Sequence, residues 1–269
     1  MTQKIHPTAI VSATAQLGAN VEVGPFCVIG GEVKIGEGTI VKSHVVIEGD
    51  TTIGKNNVIF PFSTIGVVPQ DLKFKGEKAK VVIGDNNTIR EHVTIHLGTQ
   101  DGAMLTKIGN NCLLMVGVHI AHDCVVGDHV ILANNATLAG HVEVGDHVVV
   151  GGLSAIHQFA RIGAGAMIGG MSGVEGDVIP NGLVMGERAS LAGLNLVGMK
   201  RRNISRDDIH ALRNFFKQLF SDNKIEFCTR VQNLAKTFES PVVQEVAAFV
   251  KSETNRSFCQ PKNGTISRE

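Results

Sequence analysis

The sequence predicts a mainly β chain: a parallel β-helix of hexapeptide repeats followed by a small C-terminal α-helical domain. Three observations carry this reading. An aliphatic residue returns every six positions through most of the chain as far as Val174. Glycine follows the same distribution, with 30 of 31 glycines before residue 199. Beyond residue 214 seven of the 12 phenylalanines appear, and the apolar spacing becomes helical. That shift in composition separates two architectures.

The repeat begins at Ile5 and steps through Val11, Leu17, Val23, Ile29, Ile35, Val41, Ile47, Ile53, Ile59 and Ile65. It fails at Asp71 and Glu77, then returns unshifted at Ile83, Ile89 and Ile95. After a second break the frame moves by one residue and runs from Ile108 through Leu114, Ile120, Val126, Leu132 and Leu138 to Val174. An α-helix has no six-residue period, and this density of glycine would cost it about 1 kcal/mol per residue. Short branched segments with glycine and polar corners instead suit three flat sheets around a tube. Hexapeptide-repeat proteins take three hexads to a left-handed coil, so residues 18 apart stack. The breaks, near residues 66–80 and 96–107, read as loops ejected from the coil, and loops on a rigid scaffold commonly carry function.

The expected β-helix spans residues 1–190 and the helical domain residues 191–255. In the latter, "ISRDDIHALRNFFKQLF" places Ile209, Leu212, Phe216 and Leu219 on one helical stripe. Ser205 and Asp208 resemble a capping box. "EFCTRVQNLAKTF" reads as a second helix, and "SPVVQEVAAFVKS" as a third with Ser240 as N-cap and Pro241 at the first position. The polar tail, 256–269, is expected to be disordered. The helices would cover the end of a solenoid that otherwise exposes strand edges and core.

Composition excludes several function classes. Lys+Arg and Asp+Glu both total 25, and no basic run interleaves with aromatics, so nucleic acid is not an expected partner. No apolar run approaches the ~18 residues of a membrane span. The N-terminus, "MTQKIHPTAIV", lacks the layout of a secretory signal. Five scattered cysteines form no CxxC pair and suit reduced thiols, so a cytoplasmic location is expected.

The chemistry-bearing stretch is "HIAHDC", residues 119–124. Stacking by 18 sets His122 beneath Gly140 and Asp123 beneath His141, so "HIAHDC" meets "LAGHVEVG" on the next coil. Three chemistries fit such a cluster. Zinc wants three or four converging ligands, as between subunits of γ-type carbonic anhydrases, but the spacing here differs from theirs; no metal and no cofactor are expected. Cys124 as a thiol nucleophile is disfavoured, because the adjacent Asp123 would raise its pKa. Acid–base catalysis remains: a neutral imidazole takes a proton from a hydroxyl at neutral pH, Asp123 could orient it, and a Gly140 backbone N–H could meet an oxyanion. A solenoid without enzymatic activity would have no need for these histidines to converge.

The motifs "HPTAIV", "VGPFCVIG", "QDLKFKGE", "IREHVTIH", "HIAHDC", "ILANNATLAGHV", "AIHQF", "GGMSGV" and "GMKRRNIS" occur in this order. Across roughly residues 5–253 the chain resembles the UDP-N-acetylglucosamine O-acyltransferases that begin lipid A biosynthesis. The resemblance implies a homotrimer with active sites between subunits, a (3R)-hydroxyacyl donor on acyl carrier protein, and the 3-hydroxyl of UDP-N-acetylglucosamine as acceptor. It implies His122 as general base and Gly140 as oxyanion donor. It implies substrate contacts from Asp71, Lys73, His96, His119, His141, His157 and Gln158, with Asn195, Arg201 and Arg202 near the uracil and diphosphate. Paired guanidinium groups suit a diphosphate on physical grounds too. Gly170 matches the position that limits acyl length, and a glycine there implies a longer chain. Val197, Leu97 and "GERASLAG" depart from the family pattern at positions near the nucleotide and donor. A β-helix N-acyltransferase of the same pathway is the nearest alternative. It carries an additional N-terminal uridine-binding domain, whereas hexads here begin by Ile5.

Overall fold

The computed structural model describes residues 4–221 and 225–262. Among these, 28 strands, most of them two residues long, form three sheets of 11, 9 and 8 strands. Every strand but the last pairs in parallel with the one a coil away; Ile120 lies between Ile95 and Leu138, and Leu138 lies beside Ile156. All four side chains are buried in the tube. The six-residue aliphatic frame is therefore the axis of the core, and period-two alternation puts its neighbours on the outer face.

Most coils advance by 18 residues, as in Val41 to Ile59. Where a loop leaves the coil the step lengthens: Ile65 pairs with Ile95, and Ile89 with Leu114. The loops occupy residues 68–79 and 97–104, between strands Thr64–Val67 and Lys80–Ile83 and between Thr94–His96 and Leu105–Ile108. Both breaks fall in the same two consecutive coils, so they emerge beside each other.

The three corners turn through left-handed backbone. Besides glycine, asparagine takes these positions repeatedly (Asn20, Asn56, Asn86, Asn111, Asn135), as its tolerance of this region predicts. One corner carries Asp123, His141 and Phe159 at φ values of 59°, 62° and 63° on successive coils.

The last coil pairs with an antiparallel strand pair, Gly182–Met185 and Ser190–Leu194, which ends the parallel stacking. Four helices follow: α1 (Leu196–Arg201), α2 (Arg206–Leu219), α3 (Phe227–Ala235) and α4 (Pro241–Lys251). In α2, Ile209, Leu212, Phe216 and Leu219 are buried, with Phe215 beside them. Ser205 accepts from the Asp208 N–H at 3.0 Å and donates to its carboxylate, the two halves of a cap. Ser240 stands at the N-cap of α4 but makes no cap bond; its hydroxyl donates to Asp208 instead, at 2.6 Å. That contact ties α4 to the start of α2.

The expectation of a disordered tail is corrected over residues 256–262. Phe258 bridges to Asp177 on the last coil and packs near Phe227 and Phe249, and Cys259 is buried. Two apolar anchors in an otherwise polar segment suffice to dock it. Residues 263–269 lie outside the described residues.

Replacing Ile120 by Ala removes a side chain filled on both sides by its neighbours in the stack. It should lower unfolding free energy by about 2–5 kcal/mol. A denaturant titration followed by circular dichroism measures this, and an unchanged midpoint contradicts a stacked core.

Candidate active site

"HIAHDC" leaves the 9-stranded sheet through strand His119–Ile120 and turns the corner at Asp123. Ile120 points inward, which turns His119 outward. His122 Nδ1 lies 3.0 Å from Asp123 Oδ2. The same carboxylate accepts from the Thr99 N–H at 3.0 Å and the Thr99 hydroxyl at 2.7 Å, both from the second ejected loop. A carboxylate only accepts, so the His122 proton facing it resides on Nδ1 and Nε2 offers its lone pair. Gly140 abuts that ring: a Cβ there would lie 2.5 Å from His122 Cε1 and 2.6 Å from Nε2. Any larger residue at 140 would displace the imidazole. Gly102 has the same relation to Asp123, where a Cβ would meet the carboxylate.

Three more imidazoles surround this pair. His141 meets His122 edge-on with centroids 5.0 Å apart and stacks on Phe159 at 4.4 Å. His119 Nδ1 lies 2.7 Å from the Thr94 hydroxyl and its ring meets His96 edge-on at 4.8 Å. His96 is 4% exposed, and its Nδ1 is buried without a hydrogen-bond partner. Burial first, then the positive charges that His119 and His122 could carry, push the His96 pKa down to about 4. Burial also lowers His119 and His141; for His141 the neighbouring acids Asp123, Asp71 and Asp101 oppose it.

His122, Asp123 and His141 place one donor atom each within 4.8 Å of one another. This is the one such group of three or more among the described residues. Three donors are the minimum for a zinc site, and here the Asp123 carboxylate is already engaged by Thr99 and His122. Cys124 is fully buried, its thiol directed 3.1 Å from the Ala139 carbonyl, and burial raises its pKa to about 12. A thiolate nucleophile does not fit that position. The arrangement suits removal of a proton by His122 Nε2 in a largely buried setting.

Comparison with known proteins bears directly on this geometry. The family described as "Udp N-acetylglucosamine O-acyltransferase; Domain 2" matches residues 177–259, and bacterial transferase hexapeptide repeats match residues 14–49 and 105–140. The acyl-[acyl-carrier-protein]–UDP-N-acetylglucosamine O-acyltransferase of Bartonella tribocorum is 53% identical over 262 residues, 97% of each chain. This chain belongs to the UDP-N-acetylglucosamine O-acyltransferase family. Among solved structures of this O-acyltransferase family, LpxA from Acinetobacter baumannii superimposes with a TM-score of 0.92 at 44% identity, covering 95% of this chain and 99% of that one. The UDP-N-acetylglucosamine acyltransferase of Campylobacter jejuni does so at 0.90 and 43%, covering 96% and 99%. The fold is thus the left-handed β-helix of the O-acyltransferases.

The remaining positions expected from the sequence fall into four places. Asp71 and Lys73 lie in the first loop. The Asp71 carboxylate accepts from the Lys73 N–H, and Lys73 Nζ reaches Asp101 in the second loop at 3.0 Å, joining the two loops. Gln158 falls two residues past Ile156, in register with His122 and Gly140 on successive coils; His157 beside it is exposed. Gly170 follows Met167–Ile168 of the 11-stranded sheet. The fourth place is a groove of about 630 Å³ on that sheet, lined by Asn195, Val197, Arg201 and Arg202 with His129 and His147. Asn195 caps α1 by accepting from Gly198 N–H at 2.9 Å. Arg202 donates to the Asn181 side chain, while Arg201 is exposed at the groove. Of the departures, Val197 is 60% exposed in this groove, and Leu97 is buried against Gly49.

Thr99, Gly102 and Asp101 were not legible as site residues. Their signal was indirect: the repeat breaks immediately before the coil that carries the histidines.

A depressed histidine pKa makes the folded chain resist protonation, so His96 contributes stability above pH 6.5 that is lost as pH falls towards about 4. His119 and His141 act in the same direction. His96→Gln should flatten the decline in Tm across that window relative to the parent; identical profiles would contradict a neutral, buried His96.

Proposed function

We propose that this protein transfers a (3R)-hydroxyacyl group from acyl carrier protein to the 3-hydroxyl of UDP-N-acetylglucosamine, the first step of lipid A biosynthesis. The observation that carries the proposal is His122, oriented by Asp123 through Nδ1 with Nε2 beneath the open backbone of Gly140.

In this reading His122 Nε2 takes the proton of the sugar 3-hydroxyl as its oxygen attacks the thioester carbonyl. The oxyanion accepts from the Gly140 N–H. Collapse forms the ester and breaks the carbon–sulfur bond; the imidazolium returns its proton to the departing thiolate. Asp123 holds the ring and stabilises its cationic form. Asp71, Lys73, His119, His141, His157 and Gln158 contact sugar or donor. His96, with a buried nitrogen lacking a partner, faces a polar group of the substrate. Asn195, Arg201 and Arg202 hold the uridine diphosphate, with Arg201 as the exposed cation.

One chain carries the histidines on its 9-stranded sheet and the arginine groove on its 11-stranded sheet. A homotrimer joins the two across each interface, with the same pair of dissimilar surfaces repeated around a closed ring. The enzyme works in the cytoplasm, where charged acyl carrier protein and nucleotide sugar meet. Among the described residues no helix is long and apolar enough to cross a membrane.

Purified protein is to be assayed with UDP-N-acetylglucosamine, its 3-amino analogue and hydroxyacyl carrier proteins of several chain lengths. Ester formation on the natural sugar is expected; absence of product from every pair overturns the proposal, and amide product alone replaces it with N-acylation. His122→Ala should lower kcat by about 10²–10⁴ with the melting profile retained. Near-normal turnover would remove His122 as the base.

Gly170 leaves room for the acyl chain. A Cβ added there comes no closer than 3.4 Å, to the Gly152 carbonyl, so a larger side chain can be accommodated. Gly170→Met should shift the preferred donor to shorter acyl chains, read as the ratio of kcat/KM between donors. An unchanged ratio would show that another position sets the length.

A further inference from the structure

We infer that Arg256 is a positioning residue that selects the tautomer of His157 and so fixes what that imidazole can offer the substrate. The inference rests on the proposed function for the location of substrate at His157, and on geometry alone for the tautomer.

The guanidinium is a two-pronged donor. Its Nη2 lies 2.6 Å from His157 Nδ1, and its Nε donates to the Gln158 carbonyl at 2.8 Å. Arginine remains protonated and has no acceptor, so His157 Nδ1 must accept. The ring proton then sits on Nε2, which becomes a donor on the side away from Arg256. His157 Nδ1 also lies 3.3 Å from the Gln158 carbonyl, a contact that would require the opposite tautomer. The shorter bond from an obligate cation decides between them, and the carbonyl is occupied by Arg256 Nε. Without the guanidinium, that carbonyl is the acceptor left for a proton on Nδ1.

The chain around Arg256 is built to hold it there. The Thr254 hydroxyl accepts from the Arg256 N–H at 3.0 Å and donates to Asp177 Oδ2 at 2.7 Å. Asp177 is fully buried, paired with Arg161, and bonded through its backbone to Ser257 and Cys259. This strap, with Phe258 and Cys259 docked beyond it, delivers the arginine to the column that contains His122, Gly140 and Gln158. A side chain with many rotamers is thus held ready by a preformed backbone.

Removal of Arg256 frees Nδ1 to donate to the Gln158 carbonyl and turns Nε2 from donor to acceptor. A substrate oxygen that accepted a hydrogen bond would then face a lone pair. The corresponding loss in kcat/KM is roughly ten- to a hundredfold.

The test uses full-length protein labelled with 15N in its histidines. His157 is assigned by its absence in His157→Gln, and its nitrogen shifts report which atom carries the proton. In the parent the Nε2–H form is expected; in Arg256→Ala the Nδ1–H form, together with the loss in kcat/KM. Arg256→Lys, which restores a single cationic donor, should recover the Nε2–H form and part of the activity. An Nδ1–H form in the parent, or an unchanged tautomer or unchanged kcat/KM in Arg256→Ala, overturns the inference. Should the alanine variant melt early, Arg256→Lys carries the same test: an Nδ1–H form in that variant overturns it. If the parent transfers no acyl group, the proposed function fails while the tautomer measurement still stands on its own.

Discussion

Everything in this molecule depends on an aliphatic side chain reaching the axis every six residues. Strands of two residues have little stability of their own. They persist because each inward residue is stacked between its counterparts on the coils above and below, as Ile120 is between Ile95 and Leu138. The backbone ladder then runs the length of the tube, and outward positions are released from packing duty. That release is what allows four histidines to gather at one corner without harm to the core. Burial of apolar area supplies the driving force; the repeat supplies the register.

The same constraint explains how the site is assembled. A solenoid surface is shallow, and the proposed general base needs a dry, oriented setting. The two ejected loops provide it. Thr99 gives two hydrogen bonds to Asp123, Gly102 lets the loop backbone close on the carboxylate, and Lys73 joins the loops through Asp101. The exposed Lys73–Asp101 pair contributes little stability by itself; its place is geometric. The buried contacts at Asp123 matter more, since an acceptor withdrawn from water must find donors.

Much of this was legible in the residues. The frame from Ile5 to Val174 specifies the core, its two failures specify where loops leave, and stacking by 18 brings Gly140 over His122. The stripe in α2 and its cap at Ser205 were equally plain. Contacts that join distant segments through side chains were not. Ser240 has the sequence of an N-cap, yet its hydroxyl bonds to Asp208, 32 residues earlier. The segment after residue 255 has the composition of a free tail, yet Phe258 and Asp177 bind it to the last coil. Thr99 has no motif at all. In each case periodicity reports which face a residue occupies, and says nothing of which partner a loop will find. The roles proposed for the histidines rest on a family resemblance, because a register alone does not choose a base among them.

The corner that holds Asp123 and His141 sits in left-handed backbone, where glycine or asparagine would be more at ease. Other corners use those residues at Asn56, Asn135 and Gly165, but His44, Phe62 and Leu153 also turn corners at positive φ; this one uses an aspartate, a histidine and a phenylalanine. At this corner the left-handed turn sets the Asp123 carboxylate and the His141 ring against His122. A search for thermostable variants would be drawn to Asp123 and His141 as correctable flaws. Asparagine or glycine there would ease the backbone but weaken or remove the acceptor of Thr99 and His122, or the ring beside His122, so relief at this corner would be set against its buried contacts and against the proposed catalysis.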